Sequence, residues 1–298
     1  MECSLFSVSY AGLWGQVRLN LPEFIEKASC LEYRTVMLAG KRPHLSVLDF
    51  SNRQIEQLKE LLIAKGVKVA AVAGYTDFSD PPASEVPFVE MQIAYIEQLA
   101  KIANELQAPV VRLFTAYDRA GQNLSNLWNK QIVVLREASE RAQPWGITLA
   151  VQNHHDLAVH TDALIDMITE VDRSNCRLGF DAWSPALRGE DLYEAARKAA
   201  PLTVITTNAD YIRLPRYVYR PELINYEPVQ PALARAVPFG TGFIDYKSFF
   251  QGLRDGGFDG IANYEICSPI RGGGSMANLD RCALAYRQWM VENGYAIK

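Results

Sequence analysis

The sequence predicts an α/β fold, a single (β/α)8 barrel of the TIM type, and three observations carry that prediction. Short apolar segments alternate with amphipathic helical runs from one end of the chain to the other. About eight such pairs fit, each near the ~30 residues that a strand–helix unit needs. The first apolar segment is followed by SVSYAGLWGQ rather than by the glycine-rich phosphate turn of a doubly wound open sheet. A length of 298 residues admits two domains or one large barrel. The unit count assigns 1–298 to one domain, with a long loop over 211–240 after strand seven.

The units read in order as follows. Ser4–Tyr10 is apolar and β-prone, and the run after Pro22 to Cys30 is helical. Thr35–Leu38 predicts the second strand and Asn52–Lys65 the second helix, with Ser51 as N-cap. Gly66 stops that helix, and Val67–Ala73 has the near-continuous apolar pattern of a strand buried on both faces. Val86–Gln107 predicts a long amphipathic helix and Pro109–Phe114 the fourth strand. Leu124–Gln143, then Ile147–Val151 after Gly146, repeat the pattern, as do Thr161–Val171 and Cys176–Phe180. Asp191–Ala200 and Leu202–Thr206 precede the excursion rich in Tyr, Pro and Arg. Tyr246–Asp255, Ile261–Ile266 and Leu279–Glu292 close the chain.

Composition narrows the function. With 49% hydrophobic residues the chain has ample material for a core, which excludes a disordered protein. Charges interrupt every apolar run, so no membrane span is expected, and MECSLFSVSY lacks the features of a secretory leader. A net charge of −4 disfavours a phosphate-backbone partner. Five cysteines without CxxC spacing suggest neither a disulfide framework nor a zinc site, and a reducing, cytoplasmic setting fits them.

In a barrel, chemistry belongs at the C-terminal strand ends. There the sequence places QNHHD, with Gln152 and His154 alternating onto one face and His155 onto the other. Asp181 and Glu265 each end an apolar strand, where a carboxylate is costly unless it meets a partner, cation or metal. Histidine beside two carboxylates suits either an acid/base pair or an oxygen-rich metal site. Alternatively, the histidines form a hydrogen-bonded structural pair and Asp181 caps the following loop. Lys41 and Arg112 bring positive charge to neighbouring strand ends. Arg271, opening Arg-Gly-Gly-Gly-Ser, adds either a backbone anion site or a plain turn. Trp14, Tyr75 and Trp183 offer flat walls for a sugar ring, or cap the barrel core.

On LAVQNHHD (149–156), LGFDAWSP (178–185) and the segment 237–267, which ends in GGFDGIANYEIC, the chain resembles the sugar phosphate isomerase/epimerase family of xylose isomerase-like TIM barrels. The similarity runs over nearly the whole chain. It implies a divalent metal, Mn2+ or Mg2+, held by Glu, Asp, His and Glu on strands five to eight, with two glutamates moving protons on opposite faces of an enediolate. Asp181 and Glu265 match that pattern. Gln152 stands where Glu is usual, Thr207 falls near the strand-seven His with Asn208 as the better donor beside it, and Ser184 replaces a further His. A metal set of Gln152, Asp181, Asn208 and Glu265 follows, with a metal-free site using His154 as the other possibility.

The resulting expectation is a sugar or keto-sugar isomerase or epimerase that can assemble as a homo-oligomer, with Glu265 as base, His154 as opposing proton donor, and Asp181 and Gln152 holding a metal or hydroxyls at the catalytic centre. Trp14, Lys41, Arg112, His155, Trp183 and Arg271 would bind substrate. A lyase resembling the inosose dehydratases is the runner-up, because one base and one acid suffice for elimination. A sugar-binding protein that has lost catalysis would carry the same substitutions. A DNA-repair nuclease on this fold would need more than four histidines for its metal cluster.

Overall fold

The computed structural model describes residues 1–79 and 85–296. In chain order the strands are β1 (Glu2–Phe6), β2 (Thr35–Ala39), β3 (Lys68–Ala73), β4 (Val110–Leu113), β5 (Thr148–Gln152), β6 (Cys176–Gly179) and β7 (Thr203–Asn208), then β8 (Asp210–Arg220), β9 (Asn225–Val237) and β10 (Ile261–Tyr264). All but β8 and β9 form one closed barrel, in which β10 joins β7 to β1 and neighbours run parallel. The long helices are α1 (Leu21–Cys30), α2 (Asn52–Lys65), α3 (Phe88–Glu105), α4 (Leu124–Ala142) and α5 (Thr161–Val171). A short α6 (Trp183–Arg188), α7 (Leu192–Ala199), α8 (Tyr246–Asp255) and α9 (Met276–Glu292) complete the set. None of these helices is long and apolar enough to cross a membrane.

Two apolar cores follow from strand alternation. The outer one joins strands to helices, as where Phe180 stacks on Phe249 of α8. The inner one fills the barrel with Phe6, Val8, Met37, Val110 and Ile205, but also with Ala39, Ala71, Ala73 and Ala150. Those alanines leave space inside the barrel, and the Arg112 guanidinium lies there, 2% exposed.

The structure departs from the sequence reading in two places that shape the site. Strand one stops at Phe6, and Ser7–Tyr10 winds into a 3-10 turn. There the Ser7 hydroxyl accepts the Ala39 N–H and the Ser9 hydroxyl accepts the Ile266 N–H, both at 2.9 Å, doing the work of ladder bonds. The expected loop over 211–240 is largely an antiparallel ribbon, β8 on β9, with a register shift between Leu214 and Arg216. Pro215, Pro228 and Pro231 argue for a loop in sequence, yet a two-stranded ribbon consists only of edges, where proline is tolerated.

Candidate functional site

A cavity of about 810 Å³ opens at the C-terminal ends of the barrel strands. Trp14, Lys41, Arg112, Gln152, His154, His155 and Glu265 line it, so seven predicted residues converge. Asp181 lies just behind this wall. Trp183, Asn208 and Arg271 do not reach it.

Glu265 follows β10, where its backbone N–H donates to the Asn208 carbonyl at 3.0 Å. Its carboxylate accepts the Cys267 thiol at 3.3 Å. Burial pushes this carboxyl above the usual range, while Arg112 and the thiol bond pull it partly back. Arg112 leaves β4 with Nη1 donating to the Gly74 carbonyl at 3.1 Å, and its Nε is buried without an acceptor. Aromatic faces surround the cation, with Phe114 at 4.0 Å and Tyr75 at 5.1 Å from the guanidinium carbon. Position 74 runs close against β4: a Cβ there would lie 2.9 Å from the end of the Leu113 side chain and 3.0 Å from the Arg112 carbonyl. Lys41 Nζ stands 3.6 Å from the centre of the same Tyr75 ring, and burial, then Arg112, lower its pKa.

Gln152 donates from Nε2 to Asp181 Oδ2 at 2.6 Å. Asp181 Oδ1 takes the Trp183 N–H at 3.1 Å, and its backbone exchanges two hydrogen bonds with the Asn153 side chain. The carboxylate is thereby occupied on both oxygens, and it orients Gln152 so that Oε1 is left buried with no donor. Burial pushes Asp181 up to about 7, the Gln152 bond opposing and the Glu265 charge adding to the rise. Asp181 is a positioning residue in this arrangement.

His154 Nδ1 accepts the His155 N–H at 2.7 Å, which places the ring proton on Nε2. Crowding at the cavity wall, with Arg112 adding to the effect, holds the pKa of this solvent-exposed ring down at about 4, so the imidazole is neutral near pH 7. A neutral ring donates a hydrogen bond but does not deliver a proton as an imidazolium would. His155 stacks on Tyr117 with ring centres 4.0 Å apart, and burial, then His154, bring its pKa to about 3. Its φ of 65° lies in the left-handed region, a strained backbone for a non-glycine residue beside a cavity.

Three predicted residues are placed elsewhere. Asn208 points outward, donating to the Asn263 carbonyl at 3.0 Å and to Tyr286 Oη of α9 at 3.3 Å. The β7 residue on the inner face, in register with Ile205, is Thr207. Trp183 packs against Tyr211 of the ribbon in a tilted contact, ring centres 4.1 Å apart. Arg271 is exposed, and its backbone binds the Ala236 carbonyl and the Asn278 amide at 2.9 and 3.0 Å. The adjacent Gly273 N–H is spent on Ile270, so this glycine run is a turn rather than an anion site.

Residues that the sequence reading passed over complete the cavity. Cys267 shares the face of Glu265, and the i, i+2 spacing signals it. The outer wall comes from Phe88, Met91 and Tyr117, with the ion pair Asp77–Arg119 at 2.6 Å beside them. Only the folding of the loops after β3 and β4 brings those groups together.

The divalent ion implied by the resemblance does not fit these side chains. Asn208 is committed to the helical layer, Gln152 turns its amide N–H toward Asp181, and each Asp181 oxygen already accepts a hydrogen bond. Among the described residues no three His, Cys, Asp or Glu side chains gather to hold an ion.

Known proteins can now be set beside this geometry. Their solved structures agree in fold. The probable 3-DHS dehydratase AsbF of Bacillus anthracis superposes with TM-score 0.72 at 16% identity, covering 98% of this chain and 99% of its own. D-Psicose 3-epimerase of Clostridium cellulolyticum H10, solved with D-tagatose, gives 0.74 at 15% identity over 98% and 99%. An L-ribulose 3-epimerase gives 0.74 at 14% over 98% and 94%. No curated protein matches the sequence. A family model does, over residues 25–282, and the chain belongs to the xylose isomerase-like TIM barrel family.

Proposed function

We propose that this protein is an enzyme that moves a proton at the carbon next to a carbonyl in a small polyhydroxylated substrate, as an isomerase of sugar-like compounds. The observation that carries this reading is Glu265, a carboxyl at the inner wall of the cavity whose proton affinity is raised by burial and restrained by Arg112. A raised proton affinity makes this carboxylate a stronger base than a free glutamate. His154, neutral and protonated on Nε2, is suited to hold the carbonyl oxygen as it gains charge, without a proton being transferred to it. Gln152 Oε1 accepts a substrate hydroxyl, and Asp181 fixes the amide that presents it. The Trp14 ring offers an apolar face for the carbon skeleton.

Isomerisation takes two proton shifts: Glu265 carries one proton from carbon to the adjacent carbon, and the hydroxyl proton passes directly between the two neighbouring oxygens of the enediolate. Inversion at a carbon asks for a second acid/base group on the opposite face, and Asp181 behind Gln152 is poorly placed for that. No step here runs through a metal.

A β-eliminating lyase is the second reading. Glu265 is the one carboxyl of the inner cavity wall among the described residues, since Asp77 is bound to Arg119. Elimination can run on that one carboxyl, which takes the carbon-bound proton as base and then delivers it as acid to the hydroxyl that leaves as water. Epimerases and a dehydratase both occur among the structures of similar fold, so the fold admits either outcome.

The test is solvent exchange. Wild-type protein is incubated in D2O with a panel of ketoses and keto acids, and deuterium at the carbon beside the carbonyl is followed by NMR. Incorporation in wild type and its loss in Glu265→Gln is expected. A new alkene signal would assign the lyase. Wild type that exchanges no compound of the panel overturns both readings.

A further inference from the structure

The cavity holds more positive charge than proton transfer requires. Arg112 is 2% exposed, and neither it nor Lys41 lies within 4.0 Å of a carboxylate oxygen among the described residues. Both cations lean on the Tyr75 ring instead, at 5.1 and 3.6 Å from its centre. Cation–π contacts offset only part of the cost of burying a guanidinium. Hydrogen bonding leaves a matching gap, since Arg112 Nε and the Tyr75 hydroxyl are both buried without a partner. Two donors and two positive charges therefore gather around Tyr75, in the wall of the same cavity that holds the Gln152 acceptor suited to a hydroxyl.

From this geometry we infer that the substrate carries a carboxylate, seated on Arg112, Lys41 and the Tyr75 hydroxyl, so that the enzyme acts on a polyhydroxy keto acid rather than a neutral sugar. A carboxylate takes two coplanar hydrogen bonds from a guanidinium edge. Phosphate sites commonly add the backbone N–H groups of a glycine loop or helix N-terminus to their cations, and the unpartnered donors identified at this wall are side-chain groups. The inference deepens the proton-transfer reading and rests on it for the site, but binding tests it separately from turnover.

Three ligands of equal carbon number separate the sources of charge: D-fructose, D-fructose 6-phosphate and 5-keto-D-gluconate. Calorimetric titration and thermal shift are run on wild type, Lys41→Met, Arg112→Met and Glu265→Gln. 5-Keto-D-gluconate should bind and raise Tm, more than the phosphate ester does, and D-fructose should not. Lys41→Met should weaken that binding about ten-fold, Arg112→Met should weaken it further, and Glu265→Gln should preserve it. Should Arg112→Met fail to fold, Lys41→Met decides. D-Fructose binding as tightly as the keto acid, a preference for the phosphate ester, no binding of the keto acid, or an indifferent Lys41→Met each overturns the inference. Keto-acid binding with no proton exchange on any compound would retain the inference and sink the proton-transfer reading. Exchange on neutral ketoses alone would do the reverse.

Discussion

The two ends of the barrel are made by the same eight strands, yet they treat polar groups in opposite ways. At the N-terminal floor, Thr35 donates to the Glu2 carboxylate and the Met1 amino group pairs with Asp259 at 2.6 Å. A cavity of about 570 Å³ lies there, walled largely by Val69, Val110, Val204, Ile205 and Ile261, and no described residue lining it leaves a buried polar atom unpartnered. At the mouth, Tyr75, Arg112, Gln152 and His155 each do. Unsatisfied buried groups destabilise a fold by about 1–3 kcal/mol each. The mouth cavity thus gives up some stability for groups aimed at a ligand, and the apolar floor cavity does not. Substitutions at the mouth should cut activity with little loss of stability, and substitutions in the walls should do the opposite.

The sharpest test of that contrast is Glu265→Gln. Loss of a general base costs about 10²–10⁴-fold in rate, while Tm should hold or rise, because a buried ionisable carboxyl becomes a neutral amide of equal size. Full activity in this variant would break the assignment. In the wall, Phe249→Ala removes a fully buried ring packed on Phe180 and Tyr246. Urea unfolding should show a loss of about 3–5 kcal/mol, with turnover per folded molecule retained.

Asp181→Asn probes the mouth through pH. The native Asp181 holds its proton up to about 7, whereas a free aspartate releases it near 3.8. The native state therefore binds the extra proton between those values, and stability falls as pH rises from about 4 to about 7. Asp181→Asn should flatten that part of the stability profile by an amount on the order of a few kcal/mol, read from unfolding free energies at each pH. A slope identical to wild type would show that Asp181 ionises normally. The smallest expected effect is that of EDTA. Chelation should leave turnover unchanged, and an activity lost to EDTA and restored by Mn2+ would overturn the donor-set argument.

Much of this was legible in the sequence, for identifiable reasons. Strand ends in a barrel converge whatever their separation along the chain, so Arg112, Gln152 and Glu265 could be grouped without coordinates. Asn208 has the better donor chemistry, yet alternation from Ile205 puts Thr207 on the inner face and Asn208 outside. The sites proposed at Trp183 and Arg271 depended on loop direction, which strand periodicity does not encode. The histidine pair was visible, but its neutrality was not, because that arises from crowding at the cavity wall and from a guanidinium on another strand. The outer wall of Phe88 and Met91 was hidden for the same tertiary reason.

Cys267 has a practical consequence for chemical probing. Its thiol bonds Glu265 and touches Tyr211 Oη at 3.0 Å, and burial, then the adjacent carboxylate, push its pKa far above the usual thiol range. Alkylating agents and peroxide act on thiolates, so this sulfur should resist them despite its place beside the base. Cys30, exposed at the end of α1, should react first. A fluorophore attached there would report on the protein while leaving its reactive centre untouched.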